Sequence, residues 1–331
     1  MKVRWKFLLG IFISVAFLVY AFSQVDYVEV VRAFSGVTYI WTLPMMISVL
    51  ITMAIRAGRW RLLLKPVRSL SVSTLFASVM IGFMANNLLP ARIGEIVRAV
   101  SLSRKHQLSR SSVFATVIAE RVFDSLSLLL IFWLTFIVID YPGELKNVAF
   151  AVFLFTCVII VFLYLLRAKT DLGVRLVCVP IGKFSSGLAG KAEQILRQFA
   201  SGLTFLTAPG SLLIIFLYSV FLWAFTAVSG YLIFIAFDLY PGIWAAFILL
   251  FVTVLAVSLP SSPGYIGTFH AACIIAFNLI GTLGLFQEEV SNSVALSYSV
   301  VLWSCQFFPV TLVGLYYLKR EHFRLRDMDE V

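Results

Sequence analysis

Charge is what this chain has least of. Lys, Arg, Asp and Glu together make up 13% of its 331 residues, against 61% hydrophobic ones, and soluble domains carry about a quarter charged residues. An ordinary soluble domain is therefore excluded. Histidine is nearly absent, with 3 in the whole chain, so no metal-spaced His set can be assembled. The four cysteines, Cys157, Cys178, Cys273 and Cys305, are scattered without a Cys-x-x-Cys pair, which implies neither a disulfide framework nor a zinc site. There is no P-loop and no nucleotide-binding glycine fingerprint, so no cofactor is expected. No catalytic arrangement emerges, and the longest polar stretch, 168–208, is too short and too amphipathic for a separate soluble domain.

What the chain does have is apolar runs of membrane-spanning length, roughly 17–25 residues. Full spans are expected at about 7–23, 37–55, 111–139, 147–166, 211–236 and 292–318. The basic start, Met1-Lys2-Val3-Arg4-Trp5-Lys6, resembles a signal sequence, but no small-x-small cleavage site follows, so an uncleaved first helix is expected. Arg56, Arg59, Arg61, Lys65 and Arg68 read as a dense loop after the second span. With the spans placed so, only Arg32 and Lys146 among the basic residues fall in outside loops. That is the positive-inside pattern, with both termini cytoplasmic in a plasma (inner) membrane. The net charge of +10 then faces anionic lipid rather than nucleic acid. Within 168–208, Leu188, Ala192, Ile195, Leu196, Phe199, Leu203 and Leu206 repeat at helical spacing, as in an amphipathic helix on the inner surface.

Two further apolar runs, about 72–89 and 241–259, are interrupted by the same pattern, Pro-x-x-Ile-Gly. The first is Pro90-Ala91-Arg92-Ile93-Gly94 after Asn86-Asn87-Leu88-Leu89; the second is Pro263-Gly264-Tyr265-Ile266-Gly267 after Leu259-Pro260-Ser261-Ser262. Helix breaks within a bilayer are tolerated where they are buried or line a cavity. A matched pair points to a transport site between internal repeats. The fold expected is all-α and polytopic: about six full spans plus two inverted broken or re-entrant segments, up to eight or more membrane helices. One domain over 1–331 would contain pseudo-repeats at roughly 37–139 and 211–318, joined by the cytoplasmic segment.

The candidate site follows from charges near the first break. Arg92 precedes a new helix carrying Glu95 and Arg98, and a helix start with a nearby guanidinium suits phosphate. Asn86 and Asn87 add amides, while Pro90 and Gly94 let the backbone turn. Glu120 and Asp124, four apart, share one face of the next helix with Arg121 beside them. Six charged groups, Arg92, Glu95, Arg98, Glu120, Arg121 and Asp124, are expected to form one cluster facing an inward groove. The same groups would also serve a structural ion network. At the second break, Pro263, Gly264 and Gly267 shape the backbone, and His270 is its nearest ionisable group, either a proton carrier or a packing residue.

The block Asn86 to Arg98, the block Glu120-Arg121-Val122-Phe123-Asp124 and the block Leu259 to Gly267 resemble, in order, the signatures of the lysylphosphatidylglycerol synthetase transmembrane, or flippase-like, family. That family includes the membrane half of enzymes that make and flip aminoacylated phosphatidylglycerol, and this chain looks like a stand-alone member. Its last block departs from the family pattern: Tyr265 stands where a second glycine is usual, and His270 where a glutamate is usual. The resemblance, with the breaks, implies translocation of an anionic, phosphate-bearing lipid between leaflets. The alternative is a membrane glycosyltransferase or related enzyme using a polyprenyl-phosphate-linked substrate. A non-transporting scaffold for a lipid-modifying complex is a third reading. The partners implied are an anionic phospholipid or polyprenyl-phosphate lipid and the membrane itself.

Overall fold

In a computed structural model, residues 25–89, 93–135, 137–139, 143–182, 186–203, 209–258 and 262–321 are described, with isolated positions at 17, 19 and 23. The expected first span at about 7–23 and the break residues Pro90, Ala91 and Arg92 lie outside the described residues. The same holds for Leu206, Leu259, Pro260 and Ser261. Among the described residues there are twelve α-helices and no strand. They are α1 (Tyr27–Gly36), α2 (Thr42–Leu64), α3 (Val72–Leu88), α4 (Gly94–His106), α5 (Arg110–Thr135) and α6 (Gly143–Ala168). Then come α7 (Thr170–Gly182), α8 (Ser186–Gly202), α9 (Pro209–Ala236), α10 (Trp244–Ser258), α11 (Thr268–Thr282) and α12 (Asn292–Arg320).

Among the described residues, five segments are long and apolar enough to cross a membrane: Tyr39–Leu64, Phe150–Ala168, Gly210–Ala236, Pro263–Thr282 and Asn292–Arg320. Helices α3 and α10 are apolar but shorter, and each stops at a break. Helix α5 has the length, 26 residues, but is interrupted by Glu120, Arg121 and Asp124. The chain is thus an all-α, polytopic membrane protein. Helix α6 is the least covered of the candidate spans and shows Phe155 and Val158 at the periphery, whereas α11 is the most deeply buried. Apolar side chains turned outward are what a bilayer requires, since lipid is as apolar as the interior.

Several starts are set by capping hydroxyls. Ser71 accepts from the Thr74 amide at 3.2 Å ahead of α3, and Ser291 from the Val294 amide at 3.3 Å ahead of α12. Helix α4 begins with Glu95 in its first turn and ends in Arg104, Lys105 and His106, charges that complement its dipole. Gln107, in the left-handed region at φ 52°, closes it.

The packing brings the broken segments to the centre. Helix α3 lies against α12, α2 and α4; α10 lies against α11 and α9; α12 also packs on α2 and α11. The α3–α4 hairpin is closed by glycines, since a Cβ on Gly94 would fall on the Gly82 carbonyl oxygen. The amphipathic helix expected from Leu188 onward is α8, and a further helix, α7, precedes it and packs on it. Helix α8 is fastened to the start of α5 through Ser112, whose hydroxyl donates to the Gln198 carbonyl at 2.7 Å.

Candidate functional site

The second span does not end near residue 55. Helix α2 continues to Leu64 because Arg56, Arg59, Trp60, Leu63 and Leu64 fall at i, i+3, i+4, i+7 and i+8, one continuous face. Arg59, Trp60, Leu63 and Leu64 on that face have no exposure at all, and Arg56 is 5% exposed. Two arginines read as loop cations are therefore buried inside the helical bundle. Arg61, on the other face, is exposed.

These arginines meet the carboxylates of α5. Arg59 Nη1 donates to Asp124 Oδ1 at 2.5 Å and to Ser219 Oγ at 2.8 Å, while Nη2 reaches Glu120 Oε1 at 3.3 Å. Arg98, brought in by α4, donates to Glu120 Oε2 and lies 4.1 Å above the Trp60 ring. Trp60 is itself fixed by its indole donating to Thr116 Oγ1 at 2.9 Å. The indole of Trp223 on α9 donates to Asp124 Oδ1 at 3.0 Å. Arg121 pairs with Asp124 at 3.3 Å and Glu95 at 3.9 Å, the more exposed edge of the cluster. Glu120 and Asp124 do share a face, as their spacing requires, and Arg59 pairs with both.

Arg56 is held differently. Its closest carboxylate is Asp124 at 3.6 Å, and its guanidinium carbon sits 5.0 Å from the Trp223 ring centroid and 5.2 Å from that of Phe83. Buried Nε and Nη1 have no hydrogen-bond acceptor among the described residues. Among the described residues of the cluster the cations Arg56, Arg59, Arg98 and Arg121 face the anions Glu95, Glu120 and Asp124, so one positive charge is in excess there.

A cavity of about 500 Å³ opens against this cluster, and Arg56, Asn86, Asn87, Glu95, Arg121 and Asp124 line its charged end. Its remaining walls come from α2, α9, α10, α11, α12 and the turn at the second break. Residues flanking the first break, Asn87 and Glu95, and the turn residues Gly264 and Tyr265 at the second border it. Asn87 Nδ2 donates to Thr311 Oγ1 at 2.9 Å, tying the end of α3 to α12. Asn86 acts as an acceptor, not the donor anticipated: its Oδ1 takes the Gly94 amide at 2.8 Å. The N-terminus of α4 thus has one of its amides already satisfied from within.

At the second break Pro263 opens a short 3-10 turn, Pro263–Tyr265. Gly264 has φ 67°, Tyr265 φ 59° and Gly267 φ 88°. The left-handed conformation survives at Tyr265, where the family pattern has glycine, at a cost of roughly 1–2 kcal/mol. Trp303 of α12 secures the turn by donating to the Gly264 carbonyl at 2.7 Å. His270 is not among the cavity-lining residues. It is buried, its Nδ1 is 2.9 Å from Ser299 Oγ, and its ring meets Trp303 edge-on. Both contacts are to α12.

Sequence reading thus placed Glu95, Arg98, Glu120, Arg121 and Asp124 in one cluster and missed Arg56, Arg59, Ser219 and Trp223. Among the described residues no His, Cys, Asp and Glu grouping suits a metal ion.

Fold and site together define a multi-pass α-helical membrane protein with a charged cluster and a cavity between its helices. The lysylphosphatidylglycerol synthase TM region family matches residues 7–314, and the chain belongs to that family. A UPF0104 membrane protein of Methanothermobacter thermautotrophicus is 26% identical over 292 residues, covering 83% of this chain and 84% of the relative. No solved structure matches the chain.

Proposed function

We propose that the protein moves an anionic, phosphate-bearing lipid between leaflets, with the head group held in the cavity and the acyl chains left in the bilayer. The observation that carries this reading is Arg56: a buried guanidinium on the cavity wall, with two nitrogens lacking an acceptor, in a cluster with one cation in excess among its described residues. A phosphate oxygen satisfies both needs, and charge-assisted bonds to arginine are the strong ones. The cavity lies within the roughly 300–1,000 Å³ of ordinary ligand sites, room for a head group and its linkage. Arg92, placed by sequence at the break, is the second phosphate ligand in this reading. The broken segments belong to inverted repeats at about 37–139 and 211–318, which rock about the fixed site. Both termini and the segment 168–208 face the cytoplasm, in accord with the positive-inside pattern.

The test is redistribution of acyl-labelled phosphatidylglycerol in liposomes containing the purified protein. Wild type is expected to equilibrate the label between leaflets, and Arg56→Gln to do so at least ten-fold more slowly. Redistribution indifferent to Arg56 would remove the site assignment. Absence of any redistribution, with transfer of sugar from a polyprenyl-phosphate-linked donor, would replace transport by the glycosyltransferase reading.

A further inference from the structure

Helices α7 and α8, which lie between the spans α6 and α9, each turn the same row of side chains outward. On α7 it is Leu172, Arg175 and Val179; on α8 it is Leu188, Lys191 and Ile195. Both rows read apolar, basic, apolar at i, i+3 and i+7, a spacing that keeps the three on one helix face. All six side chains are exposed, the four apolar ones by 44% to 60%. The opposite faces are used inside the protein, where Val174 of α7 and Ala200 of α8 close on Leu166 near the end of α6.

The rows are held from behind. A Cβ on Gly202 would stand 2.2 Å from the Ser112 carbonyl oxygen, and one on Gly173 would stand 2.9 Å from Leu166 Cδ1. Helix α8 is thus pressed against α5, and α7 against α6, so the bundle sets the direction in which the rows point. Charge is sorted as well. Both carboxylates of the pair of helices, Asp171 and Glu193, accept from Arg197 at 2.9 Å. Arg175 and Lys191 form no ion pair among the described residues. Between 169 and 202 five basic side chains stand against two acidic ones, so what the helices leave unpaired is positive.

Water suits the two cations but not four exposed aliphatic side chains, and hydrocarbon suits the aliphatic groups but not the cations. The head-group layer of an anionic bilayer suits both, with the aliphatic groups dipping beneath the phosphates and the cations resting on them. Chain connectivity puts α7 at that depth, since Lys169 alone separates it from the end of the candidate span Phe150–Ala168. We infer that α7 and α8 form a second lipid-binding surface, a dock for the anionic head groups of the leaflet they face, gripped by Arg175 and Lys191 and separate from the cavity. Such a dock binds lipid whether or not the cavity transports one.

The test reads contact, not transport. In a chain whose four cysteines are replaced by alanine, Val179→Cys or Ile195→Cys carries a fluorophore, and nitroxide-labelled phosphatidylcholine in the vesicle quenches it on contact. The vesicles are phosphatidylcholine alone or mixed with phosphatidylglycerol. Both leaflets have the same composition, so either orientation of the protein meets the same head groups. Quenching at both positions is expected to be at least about two-fold stronger in the anionic vesicles, and to fall back at high salt. Arg175→Gln with Lys191→Gln, both at exposed positions, is expected to remove the difference and leave the melting midpoint unchanged. Equal quenching of the parent protein in the two kinds of vesicle would overturn the anionic dock in favour of apolar contact alone. A full difference in the double variant would overturn the assignment to Arg175 and Lys191. Absence of quenching in both would overturn lipid as the occupant and leave the rows to a soluble acidic partner.

Discussion

Arg56 and Arg59 lie three residues apart on α2 and are nearly equally buried, yet their surroundings assign them different work. Arg59 bridges Asp124 and Glu120 and is further held by Ser219. Removing it leaves two carboxylates with less than their counter-charge in a low-dielectric interior, a loss of about 3–5 kcal/mol. Arg59→Met is therefore expected to lower the unfolding midpoint of the purified protein sharply. Arg56 has one long ion pair and two ring contacts, worth about 1 kcal/mol together once desolvation is counted. Arg56→Gln is expected to melt close to wild type while losing lipid redistribution, and equal destabilisation by the two substitutions would contradict this division. Neither arginine stood out in the sequence, because a cluster of cations after an apolar run has the signature of a cytoplasmic loop. The contrary signal was present: Arg56 and Arg59 keep helical register with Trp60, Leu63 and Leu64. Their carboxylate partners were easier to see, since Glu120 and Asp124 interrupt an apolar run and have no role in a loop there.

The hairpin of α3 and α4 is the element on which the charged end of the cavity depends. It presents Asn86 and Asn87 from one arm and Glu95 from the other, with Arg98 behind them on Glu120, and the arms touch at Gly82 and Gly94. A Cβ at Gly82 would stand 2.8 Å from the Gly94 carbonyl oxygen and 2.8 Å from Arg98 Cβ, so either glycine replaced by alanine forces the arms apart. Gly94→Ala is expected to cost about 1–3 kcal/mol by overpacking and to slow lipid redistribution by displacing Arg98 from Glu120. A melting midpoint within a degree of wild type would show that the crossing is looser than its geometry. The hairpin itself was legible, because Pro and Gly after an apolar run of this length mark a break and the polar run to Lys105 could not span. The closeness of the crossing was not, since contact between two glycines twelve residues apart depends on the return angle of α4. The amphipathic segment shows the same limit. Its periodicity was legible, whereas the packing of α7 on α8 and the fastening of α8 to Ser112 are tertiary facts.

At the scale of the molecule, Asn87 and Glu95, on either side of the first break, and Gly264 and Tyr265 of the turn at the second line one cavity. Asn87 at the end of α3 hydrogen-bonds Thr311 of α12, and its carbonyl oxygen lies 3.4 Å from where a Cβ of Gly264 would stand. The end of α3 therefore meets the turn at the second break. The pairing of equivalent patterns was visible in the sequence as a repeat, but their contact was not, because 170 residues separate Gly94 from Gly264. If translocation needs the two broken segments to separate and re-form, then joining them must stop it without disturbing either arm. Asn87→Cys with Thr311→Cys, in a chain whose four cysteines are replaced by alanine, supplies that joint through a short thiol-cleavable bifunctional reagent. Cross-linking is expected to reduce phosphatidylglycerol redistribution at least ten-fold, and cleavage of the linker to restore it. Full redistribution by the cross-linked protein would mean that lipid passes without motion at this seam, along a fixed groove, and the rocking of one repeat against the other would have to be given up while the head-group site at Arg56 could stand.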